Sequence, residues 1–106
     1  MMNSEISYKY NKNSMDYPSQ YRLHQNFPQS FYKITNICFD LPEKTKVKLA
    51  IYDVYGRDVF VLLEEEMHEG SYEIKWNGYT LEPGIYFYKL KAGDFVDSKK
   101  MFLLKN

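Results

Sequence analysis

Most of the chain after about residue 30 alternates hydrophobic and polar residues with a period of two, which is typical of half-buried β-strands. One such run falls within residues 35–41, a second within 46–52, and a third within 72–76. Residues 85–90 and 95–104 are richer in aromatic and aliphatic side chains. The apolar positions that share a predicted face are Ile37, Phe39, Leu41, Val47, Leu49, Ile51, Tyr72, Ile74 and Trp76. Trp76 is the predicted anchor of the core.

Glycine and proline residues separate these runs and predict the turns between them. Asp53-Val-Tyr-Gly-Arg57 predicts one hairpin, because Gly56 accepts a positive φ angle and the Asp53 carboxylate can bond nearby backbone amides. Asn77-Gly78, Pro83-Gly84 and Gly93 mark further turns. Residues 59–63 are predicted as a strand and residues 64–70 as a solvated acidic connection. The pattern predicts an all-β antiparallel sandwich of about seven strands.

The first part of the sequence lacks this alternation. Residues 1–20 mix Asn, Ser, Lys and Tyr, so we expect a flexible polar arm or linker, followed by a single domain over residues 21–106. Phe27 and Phe31 are expected to pack against that domain in an extended lead-in. The arm is therefore expected to be dispensable for folding.

Composition narrows the classes of function. The 14 Lys and Arg residues balance the 14 Asp and Glu residues, so no net positive charge attracts nucleic acid. One cysteine, Cys38, excludes an internal disulfide. No apolar run reaches the ~18 residues of a transmembrane segment. The start of the sequence lacks the features of a secretory signal peptide, so the chain as written is expected to stay in the cytoplasm.

Residues with reactive side chains show no catalytic or metal-binding spacing. His24 and His68 are far apart in sequence, and neither stands at metal-ligand spacing from the other or from Cys38. No nucleophile motif, phosphate loop or Cys-x-x-Cys motif is present. We therefore expect a protein that is not an enzyme and has no cofactor and no metal.

Two surface features have alternative interpretations. Tyr86 and Tyr88, with Trp76, could form an aromatic platform for carbohydrate, although a core face explains the spacing of the two tyrosines better. Lys44, Lys46 and Lys48 could form a basic patch, but protection of an edge strand against pairing with another chain explains them better.

Four blocks of sequence resemble the C-terminal sorting domain of type IX secretion cargo proteins, and they occur in the order found in that family. The blocks are Phe39-Asp-Leu-Pro-Glu43, Val47-Lys-Leu-Ala-Ile-Tyr-Asp-Val-Tyr-Gly-Arg-Asp-Val59, Pro83-Gly-Ile-Tyr-Phe-Tyr-Lys-Leu-Lys-Ala-Gly93 and Lys99-Lys-Met-Phe-Leu-Leu-Lys105. The resemblance covers roughly residues 21–106. The related domain of flagellar hook-capping proteins shares the Tyr-Asp-x-x-Gly-Arg and Gly-Ile-Tyr patterns.

The resemblance implies an immunoglobulin-like sandwich that acts as a targeting signal for the outer-membrane secretion translocon and is often removed by processing components during surface attachment. It also implies that Gly56, Arg57, Gly84 and the terminal strand, with Lys99, Lys100 and Lys105, carry the recognised signal. The family's opening Tyr-Pro-Asn-Pro-Phe-Asn-Pro is replaced here by Asn26-Phe-Pro-Gln-Ser-Phe-Tyr32.

Location and function follow from the same resemblance. An upstream cargo domain is expected in the family but is not present in this sequence, and as part of an exported protein the domain would be secreted or at the cell surface. The leading hypothesis is a non-catalytic targeting and anchoring module. The alternatives are a carbohydrate-binding or adhesive sandwich, and a structural domain like that of the flagellar cap.

Overall fold

The computed structural model of the chain describes Ser4–Tyr8 and residues 18–105, and it places nine β-strands in them. None of the described residues is helical, so the structure contains no apolar helix that could cross a membrane. The strands are β1 (Ser4–Tyr8), β2 (Arg22–Leu23), β3 (Ser30–Phe31), β4 (Ile34–Leu41), β5 (Thr45–Tyr52), β6 (Asp58–Met67), β7 (Gly70–Asn77), β8 (Gly84–Ala92) and β9 (Phe95–Leu103).

The strands form two sheets that pack as a sandwich, which confirms the predicted all-β class. One sheet has four strands in the order β1-β7-β4-β2, and the other has five in the order β3-β9-β8-β5-β6. All pairs are antiparallel except β3 with β9, which pair in parallel through Ser30–Phe102 and Phe31–Leu103. A parallel pair was not predicted, because the two residues of β3 are too few to show any alternation.

The core lies between the two sheets. It is formed by the side chains that point inward at every second position along the strands. From the four-stranded sheet come Ile37, Phe39 and Ile74, all fully buried. Trp76 lies among them and is 1% exposed. Phe31 packs its ring against the indole at 6.0 Å in an edge-to-face arrangement. The core is therefore built on large rings, as the high aromatic content predicts.

The acidic run after residue 63 differs from the prediction. Residues 64–66 belong to β6 and are not a loop. Glu64 lies opposite Lys48 and Glu66 lies opposite Lys46 in the β5–β6 ladder. Opposite charges directly across a ladder favour its extension, so the acidic residues continue the strand. The edge-protection prediction for Lys44, Lys46 and Lys48 is also wrong for the last two, because β5 lies between β6 and β8.

The N-terminal segment also differs from the expected flexible arm. Ser4–Tyr8 pairs antiparallel with β7, with Ile6 opposite Ile74 and Tyr8 opposite Tyr72. The edge of β7 offers unpaired main-chain donors and acceptors, and a short apolar–polar alternation is enough to add a strand there. Residues 1–3 and 9–17 lie outside the described residues, so the arm expectation stays a prediction for them.

The lead-in before β4 is held by a buried amide. Asn26 is 2% exposed, whereas Phe27 is 78% exposed, so only Phe31 of the two expected phenylalanines packs in the core. Asn26 Nδ2 donates to the Pro28 carbonyl at 2.9 Å and to Thr35 Oγ1 at 2.9 Å. The Phe27–Pro28 peptide bond is cis.

The same lead-in covers part of β9. The amides of Phe102 and Leu104 donate to the carbonyls of Gln29 and Phe31 at 3.0 and 2.7 Å. The end of β9 is consequently paired on both sides, by β8 and by β3. The terminal strand thus does not leave this part of its edge open for a partner strand.

Candidate recognition site

Three sequence-predicted signal elements meet at one end of the five-stranded sheet. Strand β5 ends beside the start of β8, with Tyr52 opposite Phe87. Strand β8 in turn starts beside the end of β9, with Gly84 opposite Leu103. The β5–β6 turn, Gly84 and the residues that follow β9 therefore share this end, although they are far apart in sequence.

The β5–β6 connection, residues 53–57, is called the Asp53 turn below. Asp53 Oδ1 accepts from the amides of Tyr55 and Arg57 at 2.9 and 3.0 Å, and Oδ2 accepts from Arg57 Nε at 2.8 Å. The Gly56 amide donates to the Asp53 carbonyl at 3.0 Å, and the Asp53 amide donates to the Arg57 carbonyl at 3.1 Å. One carboxylate thus organises the whole turn, as the sequence predicts.

The Asp53 turn presents Arg57 outward. Its side chain is 72% exposed although Asp53 binds its Nε. Arg57 also lies over the Tyr55 ring at 5.0 Å from the centroid. A guanidinium held in this way keeps its outer N–H groups in solvent and loses little further freedom when it binds a carboxylate or a carbonyl. The turn is chemically suited to recognition by another protein.

Gly56 makes this turn possible. Its φ is +81°, in the left-handed region that residues with a Cβ rarely adopt. A Cβ at this position would meet nothing within 4 Å, so the requirement is conformational and not one of space. Gly56 therefore shapes the turn, and Arg57 supplies the exposed chemistry.

The Asp53 turn should also give the fold an acid-sensitive stability. The amide of Arg57 holds the pKa of Asp53 below its usual value of 3.8, and the Arg57 side chain and the Tyr55 amide add to this. The pKa of Asp53 is lower in the folded chain than in the unfolded chain, so the ionised carboxylate stabilises the fold. This stabilisation is fully present above the pKa of the unfolded chain. It is lost as the pH falls through the pKa of the folded chain. We expect thermal unfolding of Asp53→Asn and the parent to differ most near about pH 6 and to converge towards about pH 2. A difference that is unchanged across this range would contradict the assignment.

The three terminal lysines do not form one surface. Lys100 lies opposite Phe87 on the outward side of the five-stranded sheet, with its ammonium 5.7 Å from the Phe102 ring centroid. Lys99 lies opposite the buried Tyr88, on the other side of the strand, with its Nζ 3.8 Å from Asp97 Oδ2. Lys105 is exposed beyond the end of β9. Lys100 and Lys105 are thus displayed, whereas Lys99 is engaged on the opposite side.

The aromatic platform expected as an alternative does not exist at the residues proposed for it. Tyr88 is fully buried, Tyr86 is 8% exposed, and Trp76 is in the core. Each tyrosine hydroxyl donates to a backbone carbonyl, Tyr86 to Glu82 at 2.6 Å and Tyr88 to His24 at 2.7 Å. Burial raises the pKa of Tyr88 well above its ordinary value. A sugar ring cannot stack on buried side chains, so this hypothesis is wrong for these residues.

The remaining reactive side chains have structural contacts. His24 Nε2 lies 3.0 Å from Asp40 Oδ2, a pair that the sequence did not indicate because β2 is too short to predict its register. Cys38 is half-buried in β4. Within residues 4–8 and 18–105, no three His, Cys, Asp or Glu side chains come together as a metal site would require.

A family model described as the secretion system C-terminal sorting domain matches residues 27–104. The chain belongs to this family. The match covers every strand from β3 to β9, including the Asp53 turn and the terminal strand. A search of curated proteins finds no match. The family belongs to type IX secretion, and its sorting domains are parts of exported proteins, which are secreted or displayed at the cell surface.

Proposed function

We propose that this sorting domain is a non-catalytic targeting and anchoring module, and that the type IX secretion machinery recognises it at the end of the sandwich formed by the Asp53 turn, Gly84 and the end of β9. Its partners are the outer-membrane translocon and the components that process cargo. Its cargo is a protein joined upstream of the sorting domain.

The observation that carries this proposal is the Asp53 turn itself. The Asp53 carboxylate accepts three hydrogen bonds that fix a surface loop, and the Arg57 and Tyr55 side chains of this loop remain exposed. Neither side chain contributes to the core, so both are available to a binding partner. Ordered, exposed arginine and tyrosine side chains are enriched where proteins bind other proteins.

The other predicted signal residues support the proposal in different ways. Gly56 and Gly84 shape the backbone at this end, and Lys105 is exposed just beyond it. Lys100 is displayed on the adjoining outward side of the sheet. Lys99, which bonds to Asp97 on the opposite side, is proposed to act by holding β9 in place.

A secretion assay tests the proposal. A signal peptide and a reporter are fused in front of the whole chain and expressed in a bacterium that has a type IX system. We expect the reporter to reach the cell surface, and we expect Arg57→Ala to reduce that delivery because the main recognition group is lost. The Arg57→Ala change should alter the free energy of unfolding by less than about 1 kcal/mol, since exposed ion pairs contribute little.

Arg22→Ala is the matched control, because Arg22 is exposed on β2 of the other sheet and lies outside the matched residues. We expect Arg22→Ala to be delivered like the parent. A folded parent fusion that stays in the periplasm would refute the sorting function. Equal delivery of both arginine variants and the parent would refute the role of the Asp53 turn and leave the sorting function standing.

A further inference from the structure

The outward side of the five-stranded sheet has an uneven distribution of charge, although the whole chain has a formal net charge of zero. Residues that lie directly opposite one another in a ladder share one side of the sheet. On this side, β5, β8 and β9 together present five lysines and no acidic residue. These lysines are Lys46, Lys48, Lys89, Lys91 and Lys100. We call the outward side of these three strands the lysine face.

The acidic residues on the same side all belong to the neighbouring strand β6. Glu66 and Glu64 lie opposite Lys46 and Lys48 and balance them at that margin. Lys89 and Lys100 lie further away, and neither forms an ion pair with another described residue. Asp58 of β6 also lies on this side, opposite Tyr52. The positive charge of the lysine face is therefore unbalanced on β8 and β9, the strands that are not adjacent to β6.

Aromatic rings lie beside both of these lysines. The Lys89 ammonium is 5.0 Å from the Tyr52 ring centroid, and Lys100 lies over Phe102. Phe87, half-buried, lies opposite both Tyr52 and Lys100. A groove of about 250 Å³ runs between these rings and the Asp53 turn, with Tyr52, Phe87, Lys89 and Gly56 in its walls. Asp53 also lines the groove, and its carboxylate is paired with Arg57. Aromatic rings beside lysines that form no ion pair with another described residue make a surface that is suited to binding an acidic protein.

We propose that the lysine face docks an acidic surface of a protein in the secretion machinery, with Lys89 and Lys100 as its charged contacts. This inference rests on the proposed sorting function and adds the chemistry of the partner. Charge complementarity selects the partner, since Lys89 and Lys100 form no ion pair with another described residue and carboxylates of a partner would supply one. The acidic row on β6 limits the positive area to a small patch, which favours a protein over a long polyanion such as nucleic acid.

Charge reversal tests the inference in the same reporter fusion to the whole chain. Lys89→Glu with Lys100→Glu is expected to lower surface delivery by roughly tenfold or more, because the new carboxylates repel the acidic partner. The matched control is Arg22→Glu with Lys44→Glu, which makes the same change in net charge at exposed positions outside the lysine face and away from the end that carries the Asp53 turn. This control is expected to be delivered like the parent. Thermal unfolding of the purified variants within a few degrees of the parent shows that both fold.

Each outcome bears on a separate claim. Normal delivery of the folded Lys89→Glu, Lys100→Glu variant overturns the lysine-face inference and leaves the sorting function standing. Failure of the parent fusion to reach the surface overturns both. An equal loss of surface delivery in the control variant overturns the inference as well, because delivery would then depend on the net charge of the chain and not on this face. Parent chain that stays bound to heparin in about 0.15 M salt while the reversed variant is released would identify a polyanion as the ligand instead of a protein.

Discussion

Replacing Trp76 with alanine is expected to lower the free energy of unfolding by about 3–5 kcal/mol, the usual cost of removing a large buried aromatic side chain. The indole is 1% exposed and packs against Phe31 from the lead-in. A Cβ placed on Gly78 would lie 2.8 Å from Trp76 Cη2, so the backbone itself is close to the ring and little collapse into the cavity is possible. Urea unfolding followed by circular dichroism measures the change.

Trp76→Phe is the matched variant, and it should cost clearly less because a phenyl ring fills part of the space. Indole emission from the native parent chain should be blue-shifted and poorly quenched. A loss below about 1 kcal/mol for Trp76→Ala would mean that the site repacks and that Trp76 does not anchor the core.

Asn26→Ala is expected to destabilise the fold by about 2–3 kcal/mol, since it leaves buried groups without their hydrogen-bond partner. The Asn26 amide donates to the Pro28 carbonyl and to Thr35 Oγ1, and its Oδ1 accepts from Gln25 Nε2 at 2.7 Å. Gln25 also donates to the Lys100 carbonyl at 2.8 Å, so the effect should extend to β9. Urea unfolding gives the loss, and amide hydrogen exchange of Phe102 and Leu104 shows whether the β3–β9 pairing loosens.

The control is Asn36→Ala, on the same strand as Thr35. Asn36 is half-buried and its side-chain Nδ2 makes one long contact of 3.4 Å with the Phe27 carbonyl, so loss of this side chain should cost under about 1 kcal/mol. Equal losses for the two variants would show that the buried position of Asn26 has no special role.

The strands that could be predicted from the sequence are those with long alternation. β4, β5, β7, β8 and β9 follow from the period of two, and Trp76 follows from sharing a face with Tyr72 and Ile74. Strands β2 and β3 have two residues each, too few to show a period, and they are held by contacts distant in sequence. Asn26 could not be predicted as buried, because it is held by Thr35 on β4, a contact that no local sequence pattern shows.

The candidate site also has one part that could be predicted from the sequence and one part that could not. The Asp53 turn is local, so a glycine and a carboxylate at the right spacing predict its geometry. The lysine face is not local, because Lys89 and Lys100 come together with Tyr52 only through the pairing order of β5, β8 and β9. Alternation along a single strand does not show which strands are neighbours, so the lysine face could not be predicted from the sequence.

The position of β9 sets the order in which the domain can be completed. It is the last strand in the described chain, yet it lies inside the five-stranded sheet between β3 and β8, and it supplies the buried Met101 and Leu103. A chain that emerges from a ribosome or a membrane pore with its N-terminus first cannot close this core until Leu103 has arrived. All residues before Leu103 have emerged by then, so a partner that binds only the folded shape does not bind copies truncated before β9.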